Sequence, residues 1–213
     1  MFFLTIIKTF QDNIWGMLLV ASFYILAVLS ALILHEIAHG WVALKCGDPT
    51  AKFAGRLSLN PKKHLDPLGV LLFLIIGIGW AKPVPVQPAN FRHQKRGWFF
   101  VSIAGIVTNL IIAFIASFFF VLLYDYTMWR LLFEWIMVIN IMFAVFNLLP
   151  IPPLDGFNIL ASMAPYSKFV MFLRRYSMVM LVLLLMFIGY MEFLFLAREG
   201  IMQMFKAFWG LFF

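Results

Sequence analysis

Charge is what this sequence has least of. Asp, Glu, Lys and Arg make up 12% of its 213 residues. A soluble domain carries about twice that share, so a water-facing globular surface is excluded. Acid is scarcer than base, with 9 residues against 16 and a net charge of +7. In a soluble protein that excess would point to nucleic acid. In a chain that is 64% hydrophobic it reads instead as basic loops held on the cytoplasmic side beside anionic lipid, and no nucleic-acid partner is expected. A single cysteine, Cys46, excludes an intrachain disulfide. Internal repeats and low-complexity segments are absent. The opening residues, MFFLTIIKTFQDNIWG, lack a basic n-region and a small-residue cleavage site. The first hydrophobic segment is therefore expected to stay in the protein rather than leave as a signal peptide.

What the chain has in quantity is long apolar runs. A spanning helix needs about 20 apolar residues. Four segments approach or exceed that: about Ile14 to Leu44, Trp98 to Tyr124, about Met128 to Leu149, and about Phe169 to Met191. The run from Leu68 to Trp80 holds only 13 residues, about 20 Å of helix against a hydrocarbon core of roughly 30 Å. Lys45, Lys52, Arg56, Lys62 and Lys63 precede it, and Lys82, Arg92, Lys95 and Arg96 follow it. Basic residues collect on the cytoplasmic side, so a segment with two basic flanks leaves and returns on one side and is re-entrant. With the N-terminus outside, 12 of the 16 basic residues fall in the cytoplasm. Two stretches near this segment read as extended: AKFAGRLSL, Ala51 to Leu59, which alternates imperfectly, and KPVPVQP, Lys82 to Pro88, whose three prolines forbid a helix. Irregular backbone at membrane depth survives only where it is buried or faces water, so both are expected to line a cavity. The tail, Gly200 to Phe213, is expected to lie along the interface or on the fourth helix. The fold expected is an all-α polytopic membrane protein of about four spanning helices, with a re-entrant segment and short membrane-associated β strands.

Into the first helix the chain places LILHEIAHGW, Leu32 to Trp41, in which His35 follows directly on 21 uncharged residues, Ile14 to Leu34. Ionisable groups inside a membrane helix cost several kcal/mol unless they are paired or functional. Residues four apart on a helix sit nearly above one another, so His35 and His39 share a face and both reach one metal ion. Glu36 lies about 100° round, within reach of a water on that ion. This is the H-E-x-x-H arrangement of zinc hydrolases, two ligands and a general base. Catalytic zinc takes a third protein ligand. His64 and His93 fall in basic loops, where a solvated surface histidine is the ordinary state. Asp155, in NLLPIPPLDGF from Asn147 to Phe157, lies at the end of the third helix on the side where charge puts His35 and His39. Prolines break the helix there, and Gly156 is read as freeing the backbone beside the aspartate. Asp155 is the expected third ligand.

HEIAHG at His35 to Gly40, AGIVTN at Ala104 to Asn109 and NLLPIPPLDG at Asn147 to Gly156 resemble the site-2 protease family of intramembrane zinc metalloproteases. LNPKKHLDPLG and GIGWAKPVPV are similar to the stretches between the first two motifs in its short prokaryotic branch. The likeness covers roughly Leu32 to Phe157. Ile106 departs from it, standing where the family often has proline, and the chain lacks the PDZ and CBS domains of several relatives. The resemblance implies one Zn2+ per chain held by His35, His39 and Asp155, with Glu36 catalytic. It implies transmembrane protein substrates in a lipid bilayer, a multi-pass location in a prokaryotic cell membrane, and an active site toward the cytoplasm. It sets Asn109 and Asn147 near the active centre, where each either donates to an oxyanion or substrate backbone or makes interhelical hydrogen bonds. A substrate helix must unwind before its carbonyls can react, and Ala51 to Leu59 and Gly77 to Val86 are the candidate edges to hold it extended. The whole chain then forms one membrane-embedded domain over 1–213, with a catalytic core of about 14–157 and C-terminal helices over about 168–213. Two rivals are a metal transporter and a catalytically silent substrate-binding relative. The second helix has no ionisable residue to line a transport path, and an intact Glu36 speaks against silence.

Overall fold

A computed structural model describes residues 13–70, 81–187 and 192–212. Helix α1, Ile14–Cys46, starts at Asn13, whose side-chain oxygen accepts from the Gly16 amide at 3.0 Å. It stops at Gly47, whose φ of 112° lies in the left-handed region that a side chain would strain. Along its buried face run Ala27, Ala31, His35, His39 and Ala43, one residue in every four. Helix α3, Gln94–Leu122, answers with Gly97, Val101, Gly105, Asn109, Ala113 and Ser117 at the same interval. Small residues on both faces let the two backbones approach closely, which is how helices associate where lipid is as apolar as the side chains. Helix α4, Thr127–Asn147, completes the trio and buries Met137, Asn140, Ile141 and Ala144. Among the described residues, α1, α3 and α4 are the helices long and apolar enough to cross a membrane.

The chain then turns through Pro150, Pro152 and Pro153 into the short helix α5, Asp155–Met163, which packs on α3. Helix α6, Lys168–Arg175, is capped by the Ser167 hydroxyl and lays Val170 and Leu173 on Phe157 and Ala161 of α5. The described part of the run expected as a fourth span is divided at Tyr176 into α6 and α7, Ser177–Phe187, and its last residues, 188–191, lie outside the described residues. Helix α6 is amphipathic, with Lys168, Arg174 and Arg175 exposed and Val170 and Leu173 buried, and it packs on α5. Hydropathy counting merged the two helices because no proline or glycine separates them. The tail also differs from expectation. Among the described residues helix α8, Glu192–Trp209, packs against α3 and α4. Met202 and Phe205 enter the cluster formed by Ala113, Phe120, Met137 and Ile141. The Trp209 indole N–H donates to Ser117 Oγ at 3.1 Å, a polar tether across α3.

The β strands expected near the membrane are not found among the described residues. Within Ala51 to Leu59 the chain begins with helix α2, Thr50–Phe53, and turns at Gly55. The reason is local: Asp48 accepts from the Thr50 amide at 3.1 Å and curls the chain into a helical turn. Its imperfect alternation was too weak a signal to require a strand. Lys82 to Gln87 is non-helical, as its prolines demand, and forms no strand; just before it Ala81 makes an isolated antiparallel bridge with Leu65. The Lys82 amide donates to the His64 carbonyl at 2.8 Å beside that bridge. The flanks of the segment expected to be re-entrant are therefore side by side. Apart from Leu68 to Val70, that segment lies outside the described residues, as do Gly77 to Trp80 of the second candidate edge.

Candidate metal centre

Residues distant in sequence meet where α1, α3 and the start of α5 converge. His35 and His39 are 5% and 9% exposed. Their Nε2 atoms are 3.0 Å apart, and Asp155 Oδ2 lies 3.1 Å from the first and 3.2 Å from the second. The opposite ring nitrogens settle the protonation. His35 Nδ1 is 2.7 Å from Asn109 Oδ1, and His39 Nδ1 is 2.6 Å from the Val101 carbonyl. The Asn109 amide nitrogen donates to the Ala31 carbonyl at 3.0 Å and to Asn140 Oδ1 at 2.8 Å, so its oxygen is the end that faces His35. Both partners of the histidines are acceptors. Each imidazole therefore carries a proton on Nδ1 and turns Nε2 toward the other ring and toward Asp155.

Three such atoms facing one point repel unless a proton or a metal cation stands among them. Asp155 Oδ2 is fully buried and makes no hydrogen bond of acceptable geometry, despite its two close neighbours. A tetrahedral zinc site with bonds of about 2.0–2.1 Å has edges of about 3.3–3.4 Å, close to the three separations here. The donor set, two imidazoles and a carboxylate, is one that zinc accepts. Among the described residues these three are also the group of metal-binding side chains close enough to share an ion.

Glu36 borders the same cavity, about 320 Å3 in volume, with Val84, Val86, Asn147 and Asp155 on its walls. Its Oε2 accepts from the Val84 amide at 2.8 Å. Asn147 donates back to the Phe143 carbonyl of its own helix at 3.0 Å while lining that cavity. Asn109 is wholly buried, and its amide is engaged by His35, Ala31 and Asn140, so it holds a histidine rather than facing the cavity.

Two glycines make the meeting possible. A Cβ on Gly105 would stand 2.4 Å from His35 Cε1, so α3 can back against the imidazole only at a glycine. A Cβ on Gly156 would stand 2.1 Å from the Leu148 carbonyl oxygen. Gly156 was read as a source of backbone freedom, but its φ is not positive; it is needed for close approach, which brings Asp155 back over the end of α4. His64 also departs from expectation. It is not a solvated loop histidine but is fully buried, with Nε2 2.7 Å from the Ser58 carbonyl. His93 is exposed at the start of α3. Asn140 escaped the sequence reading altogether. Its signal was a lone amide within an apolar run, Ile136 to Phe143, and its side chain bonds Asn109 and the Ile136 carbonyl.

Comparison with known proteins identifies the family. The profile of Peptidase family M50 matches residues 123–188. YwhC of Bacillus subtilis, whose name assigns it to the zinc metalloproteases, is 43% identical over 152 residues, 67% of this chain and 69% of its own length. The chain belongs to peptidase family M50, the site-2 proteases. MJ0611 of Methanocaldococcus jannaschii, similarly named, is 32% identical over 152 residues, 67% of this chain and 71% of that protein. Rip2 of Mycolicibacterium smegmatis is 30% identical over 145 residues, 62% of this chain and 53% of its own. No solved structure matches. As a member of the family the chain is an integral membrane metalloprotease with a zinc cofactor, acting on membrane proteins.

Proposed function

We propose that this protein is an intramembrane endopeptidase that hydrolyses peptide bonds of transmembrane segments near the cytoplasmic face, with His35, His39 and Asp155 as zinc ligands and Glu36 as general base. The observation that carries this reading is the convergence of two imidazole nitrogens and a carboxylate oxygen on one point, with Glu36 on the same cavity. Zinc held there supplies a Lewis acid that polarises a carbonyl and lowers the pKa of a bound water to about 7. The residues do the rest. Asn109 and the Val101 carbonyl fix the two imidazoles in the ligating tautomer. The Val84 amide holds Glu36 by Oε2, and Oε1 takes the proton from the attacking water and passes it to the leaving amine. Asn147, on the cavity wall, is placed to donate to the substrate. The extended residues 82–87 border the cavity and offer backbone groups to an unwound peptide.

The cytoplasmic orientation rests on charge. His39 lies seven residues before the end of α1, about 10 Å along the axis. Lys45, Lys52, Arg56, Lys62 and Lys63 follow, so the site sits toward the basic end. The same topology makes the protein multi-pass in a prokaryotic cell membrane, in keeping with bacterial and archaeal relatives. Purified protein in vesicles tests the reading with a panel of transmembrane peptides and zinc analysis on one preparation. Wild type cleaves with one zinc per chain. Glu36→Gln keeps zinc and loses about 10²–10⁴-fold or more in rate, because the amide accepts a hydrogen bond but no proton. Cleavage by Glu36→Gln at near wild-type rate would remove Glu36 from the mechanism.

A further inference from the structure

The Glu36 carboxylate is held from outside its own helix, by a loop whose anchors have no part in metal binding. The residues from Lys82 to Pro88 carry only four backbone N–H groups, because Pro83, Pro85 and Pro88 have none. Three of the four are committed. Lys82 donates to the His64 carbonyl at 2.8 Å, Val84 to Glu36 Oε2 at 2.8 Å, and Gln87 to Asp48 Oδ2 at 2.6 Å. The outer bonds hold the two ends of the loop, and the middle bond is the one on the catalytic glutamate.

The rear clamp is Asp48, two residues beyond the end of α1 and fully buried. Besides Gln87, it accepts from Asn90 Nδ2 at 2.8 Å, from the Thr50 amide at 3.1 Å and from the Thr50 hydroxyl. Burial alone would raise its pKa, but the hydrogen bonds from Asn90, Gln87 and Thr50 outweigh that and hold it below the usual carboxylate range. It is ionised at neutral pH, and ionised acceptors make the stronger hydrogen bonds. The front clamp is Arg56, also buried, whose guanidinium donates to the Lys82 carbonyl. Between the clamps, proline fixes φ at positions 83 and 85, so movement at either end is transmitted and not absorbed. Val84 is further seated against α1. A Cβ on Gly40, one turn beyond Glu36, would lie 3.0 Å from Val84 Cγ1. One residue thus packs its side chain on position 40 and gives its amide to position 36.

We propose that Asp48 and Arg56 are positioning residues, which stretch the 82–88 loop between them so that the Val84 amide aims the Glu36 carboxylate. This rests on the reading of Glu36 as the general base. A displacement of about 1 Å at a reacting group costs about 10²-fold in rate. The loop also lines the cavity, so an effect on substrate binding alone would appear in KM.

Two measurements on the full-length protein in detergent or vesicles test it. The first is amide hydrogen exchange of a peptide spanning residues 82–88. Asp48→Asn puts an amide donor against Gln87 or against Thr50 and Asn90, and Arg56→Gln shortens the front clamp. Each is expected to speed exchange in this peptide at least about tenfold, with α3 and α4 unchanged. Glu36→Ala should release the Val84 amide, whereas Glu36→Gln, which keeps an acceptor, should not. The second is steady-state cleavage: kcat falls at least about tenfold in Asp48→Asn while KM stays within about threefold and zinc content holds. The double variant Asp48→Asn/Asn90→Asp restores the 48–90 hydrogen bond with reversed polarity and should recover most of kcat. An unchanged kcat, an effect confined to KM, or exchange that quickens throughout α3 and α4 would overturn the proposal. If wild type cleaves nothing, the protease reading falls instead. The exchange arm then stands alone, and equal protection in Glu36→Ala and wild type would refute the bridge.

Discussion

Substituting Gly105 by alanine isolates the contact that presses α3 against a metal ligand. The added methyl carbon would lie 2.4 Å from Cε1, 2.5 Å from Nδ1 and 2.7 Å from Nε2 of His35, whereas ordinary contact begins at 3.4 Å. The ring or the helix must therefore give way by about 1 Å, and the ring has little room. Its Nδ1 is held by Asn109, which is itself fixed by Ala31 and Asn140, and Phe143 packs edge-on at 5.9 Å. Alanine is the better helix former by about 1 kcal/mol, so α3 itself loses no propensity. The strain falls on the His35–Asn109 bond, and disturbing such a partner of a metal-bound histidine typically costs about 10–100-fold in affinity or activity. Zinc affinity is read by competition with a chromogenic chelator, alongside the cleavage rate. Gly97→Ala serves as control, since its methyl meets Phe91 at 2.8 Å and touches no histidine. It should lower the melting temperature while leaving zinc affinity unchanged. Wild-type zinc affinity and rate in Gly105→Ala would refute the claim that close packing of α3 on His35 sets the ligand geometry.

Asp155→Ala should lose zinc from the purified protein, with elemental analysis as the readout; full retention would strike Asp155 from the ligand set. Single cysteines at Lys63 and Arg92, in a protein with Cys46 replaced, should both react with a membrane-impermeant thiol reagent from the cytoplasmic side. Labelling from opposite sides would show that the residues between them cross the bilayer and would overturn the topology drawn from charge.

Hydropathy and helical period were enough to read α1, α3 and α4, because spanning length and apolarity belong to each segment alone. They failed at Tyr176, where an amphipathic helix and an apolar one join without a breaker, and at Ala51 to Leu59, where a side chain hydrogen bond outweighed a faint alternation. Both misreadings came from treating composition as conformation. Hidden from them too was the burial of His64, which depends on Ser58 folding back over a loop that looked merely basic.

The sequence by itself determined that this is a membrane protein and that His35, Glu36 and His39 stand together on one helix, with the two histidines on one face. The pitch of a helix places residues four apart on one face whatever else the chain does. It also pointed to Asp155, through matching depth inferred from charge. Only the tertiary structure decided what makes those residues usable. His35 takes its tautomer from Asn109, 74 residues away, and Glu36 its orientation from Val84, 48 residues away. Gly105 and Gly156 matter for the atoms they almost touch on other elements, not for their own backbone. These are constraints between separate segments. No local period encodes them, because a hydrogen bond or a close contact across helices exists only once packing has brought the segments together.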